Sequence, residues 1–295
     1  MRKEWRRLSY KTKEEVMNRV KEHYDAAVKL YGERVLGVFL QGSWNYGEDF
    51  CDEQSDVDTK CIILPTFKDF CLGKKPVSTT HILENGEHLD AKDLRLYIDC
   101  FKKQNINFVE ILFTEFKIVN SLYESQWARL VDAREQIGRY DIKRALNCMT
   151  GMCLEKDKAL CHPYPTLVDK IEKYGFDGKQ LSHCWRIYYF MKMYTVFGQP
   201  YEDCLKLTMY PAERLTLQMI KRNQLKEIDV EWAKNKSKWL CEMSKRIKDT
   251  WCRDNPDYEH DKEVEALMNN VSVKCMEINF LRHLEKNGYC FCLCL

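Results

Sequence analysis

Every segment of this chain that reads as a β-strand falls before about residue 125, and the remainder reads as helix. Apolar runs of strand length occupy residues 35–40, 57–64, 77–83 and 88–91. The first is stopped by Gly42-Ser43 and the second by Pro65, while Asn85-Gly86 joins the last two as a hairpin. Helical spacing brackets them. Residues 12–31 place Val16, Val20, Tyr24, Ala27 and Leu30 on one face, with Thr12 and Glu15 as a capping box. Residues 94–103 do the same with Leu94, Tyr97, Ile98 and Phe101, whereas 108–113 is apolar and fits either state. Beyond residue 125, the stretches 142–160, 179–197, 212–226 and 231–250 are helical, separated by Pro163, Pro165, Gly175, Gly178, Pro200 and Pro211. The expected fold class is therefore α+β: a small mixed β-sheet with flanking helices over residues 1–125, then an all-helical domain over 126–295. A length of 295 residues agrees with two domains at about 150 residues each.

Composition removes several functional classes. Forty-seven Lys and Arg against 45 Asp and Glu leave a net charge of +2, so bulk charge does not hold this protein on nucleic acid. With 45% hydrophobic residues the chain can build a core and is not disordered throughout. No apolar run approaches a membrane span, and Met1 to Arg7 lack the apolar run of a secretory signal, so a cytoplasmic protein without a membrane partner is expected. Fifteen scattered cysteines, with no Cys-x-x-Cys, fit reduced thiols better than disulfides or zinc. The tail Cys290, Cys292, Cys294 reads as a small apolar segment, in preference to a metal site or a prenylation box at Cys292.

Chemistry concentrates in residues 40–60. A buried strand runs into Gly42-Ser43, where a helix or tight loop begins with free backbone N–H groups. Such a terminus binds phosphate, glycine allows close approach, and Ser43 adds a hydroxyl. After twelve intervening residues Asp56 and Asp58 stand at i and i+2 on a strand, both carboxylates on one face. Paired carboxylates repel unless a cation lies between them, and hard oxygen ligands favour Mg²⁺ or Mn²⁺ over zinc. A phosphate cradle beside paired carboxylates is the equipment of metal-assisted phosphoryl transfer. Asp90, after the Asn85-Gly86 turn, can lie on a strand beside 57–64 and complete a two-metal site. Asp93 competes with it but stands where a helix N-cap is expected.

The string Gln41-Gly42-Ser43, Asn45-Tyr46-Gly47, then Ser55-Asp56-Val57-Asp58-Thr59-Lys60, resembles the signature of the DNA polymerase beta-like nucleotidyltransferase superfamily. In particular it resembles predicted nucleotidyltransferases of bacteria and phages. Residues 89–95 and 107–113 are similar to the same branch, and the resemblance thins beyond about residue 115. It implies a palm-like sheet, a bound nucleoside triphosphate (ATP among the candidates), two divalent metals (Mg²⁺ or Mn²⁺), and transfer of a nucleoside monophosphate with release of pyrophosphate. Catalytic and metal-holding roles fall on Asp56, Asp58 and Asp90; Gly42 and Ser43 match the triphosphate-holding pair, and Asn45, Tyr46 and Lys60 are further nucleotide-binding candidates.

In the helical part, Lys179, His183 and Arg186 share one face at i, i+4 and i+7, after the Gly175 to Gly178 turn. They can close over a triphosphate, and their order also resembles the helical part of that family. A solvated basic face with a packed histidine explains them equally. Between Glu213 and Asp249, ten Lys and Arg against six Asp and Glu alternate with Trp232 and Trp239. That pattern suits an RNA backbone with stacked bases, and equally a charged helix with buried tryptophans. The acceptor expected from sequence is an RNA end, a protein or a small molecule. The alternative from a different class is a catalytically inactive nucleotide-binding regulatory module on the same scaffold.

Overall fold

The computed structural model describes residues 12–47, 56–165, 167–225 and 228–286. The first seven residues, Ser55, Lys226 and the tail cysteines lie outside the described residues. The chain opens with helix α1 (Lys13–Tyr31), whose capping box forms as its sequence predicts: the Thr12 hydroxyl accepts from the Glu15 N–H and the Glu15 carboxylate accepts from the Thr12 N–H. A 3₁₀ turn (Gly32–Arg34) leads into β1 (Val35–Leu40). Next come a second 3₁₀ turn (Ser43–Tyr46), β2 (Thr59–Ile63), short α2 (Phe67–Cys71), and the hairpin β3 (Ser78–Ile82) and β4 (His88–Asp93). Asp93 caps α3 (Leu94–Lys102) by accepting from the Arg95 N–H, and the four apolar residues named for this helix are all buried. The ambiguous stretch 108–113 resolves into α4 (Ile106–Val109) and a 3₁₀ turn (Glu110–Leu112), followed by a fifth strand, β5 (Lys117–Val119).

The strand order is β3-β4-β2-β1-β5, with β2 and β4 parallel and the other pairs antiparallel. Parallel pairing of β2 with β4 sets Lys60 opposite Asp90 and Thr59 opposite Leu89. A bulge between Val35 and Gly37 shifts the alternation of β1 by one residue. Leu36 and Phe39 therefore share the face that meets the helical part, while Val35, Val38 and Leu40 pack under α1. On β2 and just after it, Ile62 and Leu64 face the helical part, and Cys61 and Ile63 face α1. By the same parity Asp58 and Lys60 look toward the helices, and so does Asp56.

The remaining helices are α5 (Glu124–Asp132), α6 (Arg134–Gly138), α7 (Ile142–Ala159), α8 (Val168–Tyr174), α9 (Gly178–Met191), α10 (Tyr201–Lys206), α11 (Pro211–Lys221), α12 (Val230–Asp254) and α13 (Lys262–Lys286). A five-residue π turn (Lys192–Val196) extends α9. Helix α9 lies centrally, packed by α7, α11 and α12. One hydrophobic core runs from Leu36 and Ile62 of the sheet through Trp127, Leu146 and Phe190 to Val271 and Cys275, so packing continues across residue 125. Helix α13 returns to the first half of the chain: Asn270 accepts from Arg129 at 3.0 Å, Glu265 pairs with Lys102 at 3.1 Å, and the Phe280 ring packs on Phe67 and Phe70. No helix among the described residues is long and apolar enough to cross a membrane.

The position of α9 depends on Gly178. A Cβ there would stand 1.9 Å from the Ile220 carbonyl oxygen of α11, and the Gly178 N–H donates to Asn223 Oδ1. Gly178→Ala is expected to force the helices apart and cost about 1–3 kcal/mol, measured as a shift in denaturant midpoint at unchanged slope.

Candidate active site

β1 ends at Leu40, and the next N–H, that of Gln41, donates to the Asp58 carbonyl at 3.0 Å, carrying the pairing of the two segments to the acidic end. Gly42 then turns the chain at φ +88°, a conformation that favours glycine, and the space a Cβ would enter is open. Its carbonyl accepts from the Asn45 N–H, closing the 3₁₀ turn. Its own N–H donates to Glu110 Oε1 at 3.1 Å, and Tyr46 donates its hydroxyl to Glu110 Oε2 at 2.5 Å. Glu110 is fully enclosed. Burial pushes its carboxyl above the usual range, against the opposing effects of the Tyr46 bond, the Arg186 charge and the Gly42 N–H. The Tyr46 phenol is likewise pushed up by burial, and its ring lies under the Arg186 guanidinium, 3.7 Å from centroid to carbon.

These groups form the floor of a cleft of about 490 Å³. Gln41, Gly42, Ser43 and Tyr46 line the floor, Asp56, Asp58 and Lys60 one wall, and Lys170, Lys179, His183, Arg186, Lys221 and Arg222 the other. Ser43 Oγ accepts from Lys221 Nζ at 2.9 Å, and Lys170 pairs with Asp177, the N-cap of α9, at 2.8 Å. Arg186 is only 5% exposed, yet its Nε and Nη1 are buried without a hydrogen-bond partner among the described residues. Buried, unsatisfied guanidinium N–H groups are costly, and an anion in the cleft would relieve them. His183 stands among cations; burial first, then Arg186 and Lys179, hold it well below the ordinary histidine value, so it is neutral at pH 7.

On the acidic wall, Asp56 and Asp58 precede β2 rather than lying within it. Asp58 Oδ1 accepts from the His88 N–H at 2.9 Å and lies 3.2 Å from the His88 ring nitrogen. The segment between the two carboxylates is held from the α1 side. The Val57 N–H donates to Glu87 Oε1 at 3.3 Å, while Glu87 Oε2 accepts from Arg19, Asn85 and His23 Nε2. With its Nε2 proton given to Glu87, the buried His23 ring accepts the Thr59 hydroxyl at Nδ1, 2.7 Å away, and burial lowers its proton affinity.

The structure brings nine of the eleven residues singled out from sequence to this cleft: Gly42, Ser43, Tyr46, Asp56, Asp58, Lys60, Lys179, His183 and Arg186. Asn45 and Asp90 are placed elsewhere. The Asn45 side chain donates to the Leu40 carbonyl and lines a separate recess beside Trp44 and Phe113. Asp90 points to the helical side, but the β2–β4 register sets it opposite Lys60, two pairs deeper than Asp58. There it binds Lys92 at 2.8 Å and Lys60 at 3.5 Å, and accepts the Thr80 hydroxyl. Asp90 is thus ion-paired beside Lys60 and does not line the cleft, whereas Glu110 does. Among the described residues no group of three or more His, Cys, Asp or Glu could hold a metal by itself. Two carboxylates suit Mg²⁺ when phosphate oxygens and water complete its shell. Sequence reasoning gave no role to Glu110, Glu87, Lys170, Lys221 or Arg222. The signal for Glu110 was a lone acid inside the apolar run 108–113.

No family model matches the chain, and no curated protein is similar to it in sequence.

The geometry leads to two expected outcomes. Glu87→Ala leaves Arg19, His23 and the Val57 N–H without their acceptor and is expected to cost about 1–3 kcal/mol in chemical denaturation. For His183, the folded form binds a proton less readily than the unfolded form, whose value is near 6.5. Its contribution is therefore present above pH 6.5 and is lost as pH falls through that value toward the lower folded one. Stability measured from pH 8 to 5 is expected to fall less steeply in His183→Gln than in the native protein.

Proposed function

We propose that this protein is a metal-dependent nucleotidyltransferase, built on a palm-like sheet of the DNA polymerase beta-like kind. The observation that carries the reading is the buried Arg186 guanidinium, whose Nε and Nη1 lack hydrogen-bond partners among the described residues, on the cationic wall of a cleft that faces two carboxylates. A nucleoside triphosphate supplies both needs. Its phosphates meet Arg186, Lys179, Lys221 and Ser43, and its oxygens complete a Mg²⁺ or Mn²⁺ shell begun by Asp56 and Asp58. When bound, the metal draws charge from the reacting phosphate and lowers the pKa of the attacking hydroxyl. The protein's own part is alignment. The open space over Gly42 lets the phosphates approach the strand end beside Ser43, Lys60 adds a buried positive charge near the acidic wall, and neutral His183 is a hydrogen-bonding group that adds no charge. An acceptor hydroxyl then attacks the α-phosphate in line. The new P–O bond forms as the bond to the pyrophosphate oxygen breaks, with the hydroxyl proton lost to water.

The ion pairs of Asp90 with Lys60 and Lys92 favour a second reading, a nucleotide-binding regulatory module, since they engage the carboxylate expected to activate the acceptor. Incubation with each of four α-³²P-labelled nucleoside triphosphates, Mg²⁺ or Mn²⁺, total RNA and lysate separates the two. Metal-dependent label transfer, abolished in the Asp56→Ala, Asp58→Ala double variant, is expected. Arg186→Ala is expected to weaken triphosphate binding about tenfold or more, the worth of a charge-assisted hydrogen bond. Binding without transfer would favour the regulatory module, and absence of binding would overturn both.

A further inference from the structure

The tryptophans of the basic stretch are not buried. Trp232 is 40% and Trp239 is 42% exposed, and with Lys236 they stand at i, i+4 and i+7 on one face of α12. Lys236 Nζ lies 4.1 Å from the Trp185 ring centroid and 4.3 Å from that of Trp239. The rings continue onto α9. Trp185 is 6.3 Å from Trp232 and from Tyr189, Tyr188 is 5.5 Å from Trp239, and Tyr189 packs on Tyr210 at 4.2 Å. The π turn after α9 starts at Lys192, whose ammonium lies within 6 Å of the Tyr188, Phe197 and Tyr210 rings. Phe197 itself is 43% exposed. The result is a band of aromatic rings, exposed at Trp232, Trp239 and Phe197 and buried at Tyr188, with Lys192 and Lys236 over its rings and Glu213 near Tyr189 at its edge.

This band adjoins the cleft. A recess of about 270 Å³ opens between Trp185 and Trp232, lined also by Thr216, Ile220, Leu225 and Ile228. Trp185 and Ile220 face the recess, whereas the residues next in the chain, Arg186 and Lys221, face the cleft. The walls of the two sites are thus consecutive residues of α9 and α11.

We propose that this band binds a single strand of nucleic acid and leads its terminal hydroxyl to the cleft. The inference rests on the nucleotidyltransferase reading only for the fate of that end. Bases stack on exposed aromatic faces regardless of sequence, and lysines between them meet the backbone phosphates. Charge complementarity selects a polyanion over an apolar protein surface, because the ammonium groups sit over the rings at the centre of the band. A duplex, with its bases stacked on one another, offers no free π face.

The test is equilibrium binding of an oligouridylate of about 12 nucleotides, within the span such surfaces cover, followed by tryptophan quenching and anisotropy. It is run on the Asp56→Ala, Asp58→Ala protein, so binding is read without transfer. Trp232→Ala with Trp239→Ala is expected to weaken binding about tenfold or more, and the Trp→Phe pair to restore most of it. Lys236→Gln is expected to reduce the slope of log K against log salt by about 0.7. Duplex RNA is expected to bind more weakly. Equal binding of single strand and duplex, or unchanged binding in the alanine pair, overturns the proposal. Label transferred to a protein or small molecule by a native chain that does not bind the oligonucleotide also overturns it, while leaving the enzymatic reading intact. Oligonucleotide binding with no transfer to any acceptor sustains the surface and removes the enzymatic reading instead.

Discussion

The buried carboxylate of Glu110 joins the three segments on which the cleft depends. It accepts from the Gly42 N–H at the end of the first strand and from the Tyr46 hydroxyl three residues after Ser43, and Tyr46 in turn carries Arg186 of the central helix on its ring. Sheet, turn and helix are therefore fixed relative to one another by one group. A carboxylate enclosed in apolar surroundings is costly unless its acceptors are filled, and here both oxygens are used. The Gly42 N–H, free in an isolated strand-to-turn junction, already has an acceptor, so the capacity of this floor to hold an anion falls more heavily on Arg186 and the lysines than on the backbone.

Apart from Lys60, which stands on the acidic wall, charge is sorted across the cleft. Carboxylates stand on the strand side and ammonium and guanidinium groups on the helical side, with Lys221 tied to Ser43 between them. Neutral His183 keeps an already crowded cationic wall from gaining another charge. Behind the carboxylates, Glu87, His23 and Arg19 hold the backbone of the 56–58 segment from the opposite face of the sheet. The two aspartates thus stay together although they lie just outside the regular strand pairing.

Much of this was legible in the sequence. The capping box of α1, the Asn85-Gly86 hairpin and the apolar face of α3 rest on local rules, and each formed as those rules dictate. Residues at fixed local spacing, such as Lys179, His183 and Arg186, could likewise be grouped in advance. Asp90 was harder, because its surroundings depend on the parallel register of β2 with β4, which no local pattern sets. A position two pairs deeper than Asp58 is enough to exchange an open cleft for Lys60 and Lys92. Strand β5 was too short for a periodic signal, at three residues. Helix α13 was missed because apolar residues occur on several of its sides: Val264, Met268, Val271 and Cys275 are buried, but Val273 and Leu281 are exposed. The tryptophans of α12 show the same limit from another side, since amphipathic spacing does not reveal whether a ring is covered.

The return of α13 to the first half of the chain bears on how the protein is made. Leu130 and Tyr123 near α5 share one core with Val271 and Cys275, yet more than a hundred residues separate them in sequence. At ordinary rates of synthesis, the interval between the emergence of α5 and that of α13 is on the order of ten seconds. During that time the sheet-bearing half presents an uncovered apolar side while its hairpin, turn and capped helices can already form. Helix α13 therefore covers α3 and α5 only well after they are made, so the nascent chain passes through a long state in which shielding by a chaperone has something to shield.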